Sequence, residues 1–578
     1  MKKLFVYLKG YGRECVLGPL FKMLEASFEL IIPLVVARII DGGILTGDRS
    51  YIVRMVLVMA ALGFVGLVSA VTAQYFAAKA AIGFSTRVRH ALMAHIQTLS
   101  HTELDTLGTS TLITRMTSDV NQVQSGVNMC LRLLLRSPFV VFGAMVMAFT
   151  IDFDSALIFA GVIAVLCVIV FSIMLISIPM YRRVQGQLDN VTSATRENLN
   201  GVRVIRAFGR EEAENEKFTK RSRGLTRMQL AVGRLSAAMN PVTYVVINAA
   251  VILLLHTGAL RVDSGALSQG EVVALYNYMS QILVELVKMA NLIILLTKAW
   301  ACGDRIAGVM AVKSSQKDGE LRPGADVPFG EVSFEHVSLT YKGAGDASLS
   351  DITFTAKAGQ TIGVIGGTGS GKSSLVSLIP RFYDATQGVV RIGGTDVRKL
   401  HMDELRARAA VVPQKATLFK GTIRSNLLWG NPDASEAELH EALSTAQALD
   451  VVASKEKGLD EPVEQGGRNF SGGQRQRLTI ARALVKKPDI LILDDSASAL
   501  DYATDASLRR AIRAMDHRPT TFIVSQRTSS VRFADQIIVL DDGRAVGIGT
   551  HEELLASCPV YQEIHASQLS SQEVKAHG

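Results

Sequence analysis

Six apolar stretches fill the first half of the chain and constrain its fold more than any other feature. Each is long enough for the roughly 20 residues of helix that cross the hydrocarbon core of a bilayer. They lie at 15–41, 52–78, 130–151, 155–178, 237–260 and 271–297. Because lipid cannot satisfy backbone polar groups, they predict a membrane α-helical bundle of six long transmembrane helices.

Composition and charge are unevenly distributed along the chain. Hydrophobic residues make up 48% of it and the mean hydropathy is +0.26, with the excess confined to the first half. A net charge of +8 could indicate a nucleic-acid partner, but the basic residues cluster in the loops between the apolar stretches. Positive-inside topology explains this more simply. We therefore expect no nucleic acid, a multi-pass protein of the plasma or inner membrane, and both termini in the cytoplasm.

The cysteines and the N-terminal sequence indicate no further structural device. The five cysteines are scattered, without C-x-x-C pairing or a nearby histidine framework, at positions 15, 130, 167, 302 and 558. We expect neither a metal site nor a disulfide framework from them. The basic start leads into an apolar stretch too long for a cleavable signal peptide, so the first helix is expected to act as its own insertion signal.

The second half of the chain predicts an α/β domain that binds phosphate groups. A polar linker, 313–328, separates the transmembrane domain, 1–312, from this domain, 329–578. The apolar run 361–365 leads into a glycine-rich segment that precedes a helix-like sequence. This segment has the pattern G-x-x-x-x-G-K-[ST] and consists of Gly366, Gly367, Thr368, Gly369, Ser370, Gly371, Lys372 and Ser373. Its backbone amides can converge on phosphate oxygens.

Three further features specify the expected ligands as ATP and Mg²⁺. Lys372 would reach the β- and γ-phosphates, and the Ser373 hydroxyl would bind Mg²⁺. The strand-like run 490–494 ends in Asp494, a carboxylate in the place that binds Mg²⁺ beside the phosphates. A second anion cradle opens a helix-like run and consists of Ser471, Gly472, Gly473 and Gln474.

Together these motifs resemble those of an ABC transporter, in the order found in a half-transporter of the exporter type. The matching segments are the P-loop at 366–373, the Q-loop at 412–414, the signature at 470–474, the Walker B strand ending at Asp494 and the D-loop at 498–501. The resemblance covers nearly the whole chain. It implies ATP-driven transport by a dimer in which each ATP lies between one P-loop and the other subunit's signature.

The resemblance also implies roles for individual residues. Tyr341 would stack on adenine, Ser374 would contact the nucleotide, Gln414 would touch Mg²⁺ or the attacking water, and Asp501 belongs to the D-loop. The signature, residues 471–474, would act on the partner's ATP. Segments near Leu112–Val120 and Arg206–Glu214 resemble the coupling helices that dock on nucleotide domains. Independently of the resemblance, residues 188–218 contain few helix breakers and many charges, which predicts helix rather than loop.

Two departures from the family pattern fall on hydrolysis. Asp495 stands where the family has Glu, and Gln526 stands where it has the switch histidine. The shorter carboxylate is withdrawn by roughly 1 Å, a misplacement that can cost about 10²-fold in rate. The Gln526 amide cannot take up or release a proton at neutral pH. We therefore expect a heterodimer in which this chain holds ATP at a degenerate site and has little ATPase activity alone.

Polar residues within the apolar stretches are candidates for a substrate cavity. Asn277, Gln281 and Glu285 recur along one helical face, and Glu25 and Glu29 lie one turn apart in the first stretch. Mutual pairing is the alternative, because Lys288 can reach Glu285 and Lys22 can reach Glu25. A cavity of this kind suits amphipathic, cationic small molecules, as in a multidrug exporter.

Other functions are compatible with the same machinery. A lipid or peptide exporter, an importer with the exporter fold, and an ATP-gated channel or regulatory subunit would each carry these motifs. A fold does not reveal the substrate.

Overall fold

The chain forms two structural units, one helical and one α/β. The computed structural model describes residues 2–322 and 329–576; residues 323–328, the end of the predicted linker, lie outside the described residues, as do Met1 and 577–578. The first unit contains the chain up to Gln97 and Ser110–Val312. The second contains Thr98–Thr109 and the chain from Lys313 onward. A short segment of the first half therefore belongs to the α/β unit.

Long helices dominate the first half. In chain order they are α1 Gly12–Ile39, α2 Arg49–Gln97, α3 His101–Leu107, α4 Thr109–Thr114, α5 Val120–Leu133, α6 Arg136–Ile151, α7 Phe153–Asn200, α8 Val202–Ala207, α9 Glu211–Asp263 and α10 Gln269–Ala311. Single turns of π-helix extend α1 and join α4 to α5. A 3₁₀ helix, Lys2–Leu8, precedes α1.

The structure confirms a helical transmembrane region but gives a different count of apolar spans. Five described segments are long and apolar enough to cross a membrane: 49–97, 109–151, 153–200, 211–263 and 269–311. The first predicted stretch, 15–41, most of which lies in α1, is not among them. Every 18-residue stretch of α1 contains three charged residues, Lys22, Glu25 and Glu29, so α1 has no uninterrupted apolar run of that length.

The expected helical connection between the fourth and fifth stretches is interrupted. Helix α7 ends at Asn200, α8 covers six residues, and α9 starts at Glu211. Gly209, between α8 and α9, has a positive φ of 59°, a conformation that glycine adopts without steric cost. Residues 188–218 are therefore helical as predicted, apart from breaks at Gly201 and 208–210, and the second predicted coupling segment, 206–214, spans the second break.

The first predicted coupling segment is also placed too late in the chain, because the residues of this region that belong to the α/β unit come before it. Residues 112–120 fall within the first unit, whereas α3 packs in the α/β unit. The His101 ring of α3 lies 4.6 Å from the Phe382 ring, and the Tyr383 hydroxyl donates a hydrogen bond of 2.6 Å to Asp105. Glu103 accepts one of 3.2 Å from the backbone N–H of Ser315. Ser100 and Gly108 at the ends of α3 are the available sequence signal, since both residue types are typical of helix caps.

An ion cluster joins three helices inside the first unit. Arg136 of α6 is 6% exposed and contacts Glu285 of α10 and, at 2.5 Å, Glu29 of α1. Glu285 also accepts hydrogen bonds from Ser137 at 2.9 Å and from Lys288 at 2.8 Å. Because a buried charge without a partner is costly, each of these contacts supports the others.

The α/β unit is built on three sheets. The largest has the strand order β12-β11-β3-β10-β9-β6, in which only β12 runs antiparallel; the others have the orders β2-β1-β4-β5 and β7-β8. The strands are β1 Val332–Leu339, β2 Leu349–Ala356, β3 Thr361–Gly366, β4 Gln387–Ile392, β5 Thr395–Asp396, β6 Ala409–Val412, β7 Gly421–Thr422, β8 Pro462–Val463, β9 Ile490–Asp494, β10 Thr520–Ser525, β11 Gln536–Asp541 and β12 Arg544–Gly549. The predicted strands at 332–334 and 337–341 form the single strand β1, whose register shifts between Phe334 and Val337.

Helices of this unit pack against its sheets and against one another. They are α11 Lys372–Ser377, α12 Met402–Arg408, α13 Ile423–Leu427, α14 Glu436–Thr445, α15 Leu449–Ala453, α16 Gly472–Val485, α17 Tyr502–Arg513, α18 Thr528–Val531, α19 His551–Ser557 and α20 Pro559–Ala576. Strands β3 and β10 are buried along their entire length, so apolar side chains on both faces fix their register. The carboxyl ends of β3, β10, β9 and β6 consequently meet at one edge of the sheet.

Replacement of Arg136 by Met should sharply lower the thermal midpoint of the full-length protein in detergent. The substitution leaves Glu285 buried without its guanidinium partner, a loss of about 3–5 kcal/mol for a buried pair. The control Asp154→Asn removes a more exposed ion pair with Arg261 and should cost at most about 1 kcal/mol. Adding Glu285→Gln to Arg136→Met should reverse part of the decrease in thermal midpoint. Equal losses for the two single variants would contradict this account.

Candidate functional site

The glycine-rich loop connects β3 to α11 at the edge where the parallel strands end. Gly369 and Gly371 have φ values of 84° and 94°, which turn successive backbone amides inward. A Cβ on Gly371 would lie 2.6 Å from the carbonyl oxygen of Ser348, so no other residue fits there. The loop therefore has the curvature of a phosphate-binding nest.

The Lys372 side chain lies inside this loop. Its Nζ donates hydrogen bonds to the carbonyl oxygens of Gly366, at 3.0 Å, and Gly367, at 2.5 Å. Burial lowers the pKa of Lys372, while the nearby carboxylates of Asp495 and Asp494 oppose this shift. A bound anion would restore the charge that burial disfavours, which suits this residue to phosphate.

A hydroxyl and a carboxylate lie side by side next to the loop. The Ser373 Oγ donates a hydrogen bond of 3.0 Å to Asp494 at the end of β9. Burial raises the pKa of Asp494 and the neighbouring Asp495 raises it further, against the opposing effects of Ser373 and Lys372. Paired hard oxygen atoms of this kind fit Mg²⁺, which binds proteins through one or two carboxylates together with substrate phosphates.

An open pocket of about 410 Å³ brings most of the predicted nucleotide-binding residues together. Its lining includes 368–369, 371–374, Gln414, Asp494, Asp495 and Gln526. The Gln414 Nε2 donates a hydrogen bond of 3.3 Å to Asp495. Sequence reasoning missed Asp346 and Asp542, which also line the pocket from the β1–β2 and β11–β12 turns. Their only signal is an Asp beside Gly in each turn.

Tyr341 lies next to the loop but not in the pocket lining. Its hydroxyl donates a hydrogen bond of 3.0 Å to Ser374, and its ring meets the Tyr383 ring edge-on at 5.0 Å. The ring is half-buried, so one part of it remains available for stacking.

The two positions that depart from the family pattern follow neighbouring strands. Asp495 comes directly after β9 with a φ of 46°, and its N–H donates a hydrogen bond of 3.0 Å to the Val524 carbonyl. Gln526 is exposed and comes directly after β10. Both side chains therefore belong to the same pocket as Lys372 and Asp494.

The signature residues lie outside this pocket. Ser471 caps α16, with its Oγ accepting from the Gln474 N–H at 3.3 Å and the Gln474 Oε1 accepting from the Ser471 N–H at 3.0 Å. Among the described residues that line the pocket, none belongs to 471–474. Asp501 likewise caps α17 by accepting from the Thr504 N–H at 2.8 Å. The structure thus places the predicted second cradle apart from the first.

The candidate cavity residues divide into two groups. Glu29, Asn277, Gln281 and Glu285 line one cavity of about 360 Å³ in the first unit, together with apolar residues of α1, α6 and α10. Glu25 is not among its lining residues and pairs with Lys22 at 2.5 Å. Glu285 is 2% exposed and pairs with Arg136 and Lys288, whereas the Glu29 side chain, which also pairs with Arg136, is 39% exposed. Glu29 is therefore the carboxylate most accessible from this cavity.

Replacement of Asp494 by Asn should stabilise the nucleotide-free protein and abolish the Mg²⁺-dependent part of ATP binding. A raised pKa means that the fold disfavours the ionised carboxylate, so its removal should raise the thermal midpoint slightly at neutral pH. Thermal shifts with ATP, with and without Mg²⁺, measure the second effect. In the unsubstituted protein, the Mg²⁺ effect should fade on acidification at a higher pH than an ordinary aspartate would require. Asp541→Asn, at the exposed end of β11, is the control and should change neither quantity.

Comparisons with known proteins agree with this geometry. Residues 15–286 match the family model of the ABC transporter transmembrane region, and 349–498 match the family model described as ABC transporter. An uncharacterized ABC transporter ATP-binding protein of Mycobacterium tuberculosis is 39% identical over 99% of both chains. The ATP-dependent lipid A-core flippase of Yersinia pestis is 27% identical, covering 98% of this chain and 97% of its own.

A solved structure extends the comparison to the fold. A bacterial Atm1-family ABC exporter with ATP bound is 22% identical, with a TM-score of 0.80 over 96% of this chain and 98% of its own. This similarity confirms the predicted fold class, a helical transmembrane region followed by an α/β nucleotide-binding domain. The chain belongs to the ABC transporter family and has the exporter-type architecture, in which a transmembrane domain and a nucleotide-binding domain are fused in one chain.

Proposed function

We propose that the chain is one half of a heterodimeric ABC exporter and contributes a degenerate ATP site. The observation that carries the proposal is the presence of Asp495 and Gln526 in the same pocket as an intact phosphate-binding loop. Binding and hydrolysis make different demands on such a pocket. This pocket has the groups that bind ATP, but it lacks the glutamate and the histidine that the family has for hydrolysis.

The binding elements are complete. The glycine turns provide backbone amides, Lys372 provides a cation, and Ser373 and Asp494 provide two adjacent oxygen atoms. Mg²⁺, when bound, neutralises phosphate charge. The half-buried Tyr341 beside Ser374 provides a surface for adenine, and stacking of this kind is worth about 1–3 kcal/mol. ATP should therefore bind to this chain with ordinary affinity.

The hydrolytic elements are weak. Hydrolysis needs a carboxylate placed to orient and deprotonate water, and Asp495 is one methylene shorter than Glu. The Gln414 amide also contacts it at 3.3 Å. Gln526 can hydrogen-bond a phosphate, but its neutral amide cannot exchange a proton. ATP at this site should turn over slowly and keep the nucleotide domains together.

The position of the signature supports a requirement for a second half-transporter. Ser471 and Gly472 are exposed at the start of α16, outside the pocket that contains Lys372. A partner that carries Glu and His at the two degenerate positions would present its own ATP to this signature. The pair would then hold one competent and one degenerate site, with both nucleotide domains on the cytoplasmic side of the cell membrane.

Amphipathic small molecules that carry a positive charge are the substrates that the cavity suits best, as in a multidrug exporter. Apolar side chains of Ile32, Val36 and Val140 line it together with the accessible carboxylate of Glu29. A lipid exporter is the second candidate, because a relative that is 27% identical over nearly its full length is named as a lipid A-core flippase. Peptide export, import and ATP-gated conduction use the same nucleotide chemistry and differ in what the cavity passes.

Vanadate trapping on the co-purified pair tests the unequal sites. The trapped nucleotide should lie on the partner's P-loop, with trapping on this chain lower by about 10²-fold. The double substitution Asp495→Glu and Gln526→His should restore trapping on this chain, whereas the control Asp541→Glu should not. Equal trapping in the unsubstituted pair, or brisk ATP hydrolysis by this chain alone, would contradict the proposal.

Efflux of a cationic dye tests the role of Glu29. Glu29→Gln should reduce efflux of the dye from cells that express the pair and leave efflux of a neutral analogue unchanged, because only the cation needs the carboxylate. The matched control is Glu25→Gln, one turn away and outside the cavity lining. Unchanged transport of every cation tried in the Glu29 variant would remove this assignment, and movement of labelled lipid instead would favour the second candidate.

A further inference from the structure

The C-terminal helix α20 presents one of its faces to the segment that follows β10. Tyr561, Ile564, His565 and Gln568 recur at three- and four-residue spacing, which places them on one side of the helix. Tyr561 is fully buried, and its hydroxyl lies 2.7 Å from His551 Nδ1 of α19. Ile564 packs against the core of the α/β unit. The start of α20 is thus fixed, and Gln568 lies about two turns further along.

Gln568 uses both ends of its amide on the segment 526–528. Its Nε2 donates a hydrogen bond of 2.7 Å to the carbonyl oxygen of Gln526. Its Oε1 accepts from the N–H and from the hydroxyl of Thr528, both at 2.9 Å. An amide provides a donor and an acceptor in one planar group, whereas a carboxylate or an aliphatic side chain cannot provide both.

These contacts hold the backbone of Gln526 from two directions. Ser525, the preceding residue, pairs with Ile365 of β3 within the sheet. Thr528, two residues later, is 4% exposed and begins α18. The Gln526 side chain lines the nucleotide pocket, while its carbonyl faces Gln568. Rotation of this peptide would change the direction of the side chain, so the contact with Gln568 restricts where the side chain can point.

We propose that Gln568 is a positioning residue that holds Gln526 toward the γ-phosphate, so that the site distinguishes ATP from ADP. This inference rests on the proposed function, in which Gln526 contacts the terminal phosphate of ATP. Gln568 itself does not line the pocket and acts only through the Gln526 backbone. The C-terminal helix thereby becomes part of the nucleotide site.

The ratio of ATP to ADP affinity of the full-length chain tests the proposal. Gln568→Glu keeps the acceptor for Thr528 but replaces the donor to Gln526 with a second acceptor. It should weaken Mg-ATP binding about tenfold, the equivalent of one lost hydrogen bond, and leave Mg-ADP binding unchanged. The matched control is Gln562→Ala on the same helix, whose amide donates to the Leu555 carbonyl and should affect neither nucleotide.

Three comparison variants separate the possible outcomes. Gln526→Ala tests the proposed function: if it leaves the ratio unchanged, Gln526 does not contact the γ-phosphate. A reduced ratio in Gln526→Ala without one in Gln568→Glu overturns the positioning role alone. Thr528→Val removes the hydroxyl that contacts Gln568 and His565, keeps the Thr528 N–H that donates to Gln568, and should leave the ratio intact. If Gln568→Glu weakens ATP and ADP binding equally, or if Thr528→Val lowers the ratio of ATP to ADP affinity, Gln568 acts in folding and the inference is overturned. If Gln568→Glu does not fold, Gln568→Met, which keeps the length but removes both the donor and the acceptor, is compared with Thr528→Val, and a lower ratio in Gln568→Met alone supports the positioning role.

Discussion

Parallel pairing of β3 with β10, and of β10 with β9, is the constraint on which the nucleotide pocket depends. The pairing register joins Thr361 to Thr521 and Ile490 to Thr520, so these strands end at the same level. Residues far apart in the chain consequently meet within hydrogen-bonding distance, as Ser373 does with Asp494, 121 positions later. A change that shifted one strand by a residue would turn its side chains to the opposite face and separate the groups of the site.

The α/β unit could be predicted from the sequence because its signals are local. A glycine pattern between an apolar run and a helix-like run predicts a loop geometry, and the φ values at Gly369 and Gly371 agree with it. The same reasoning cannot give Asp346 or Asp542, which reach the pocket from turns with ordinary turn sequences. Nor can it give Gln568, since its partners lie 40 and 42 residues away and only the packing of α20 brings them together.

The membrane region was less predictable, because polar residues in an apolar helix allow both pairing and cavity lining. Glu285 does both: it lines the cavity and is occupied by Arg136, Ser137 and Lys288. Arg136 lies at the start of an apolar helix and gave no periodic signal of its own. Its role depends on the approach of α1 and α10 from distant parts of the chain, which no local pattern specifies. Lys22, Glu25 and Glu29 likewise interrupt the apolar sequence of α1.

The inclusion of residues 98–109 in the α/β unit has a practical consequence for anyone who isolates that unit. A fragment beginning at the linker would lack α3 and leave the Phe382 and Tyr383 rings without the imidazole of His101 beside them. It would also leave the carboxylate-bonded Tyr383 hydroxyl and the Ser315 amide facing water. Such a truncated protein should be prone to self-association through the uncovered aromatic surface. Supplying the peptide 98–109 in solution, or fusing it through a flexible tether, offers a route to a well-behaved soluble domain.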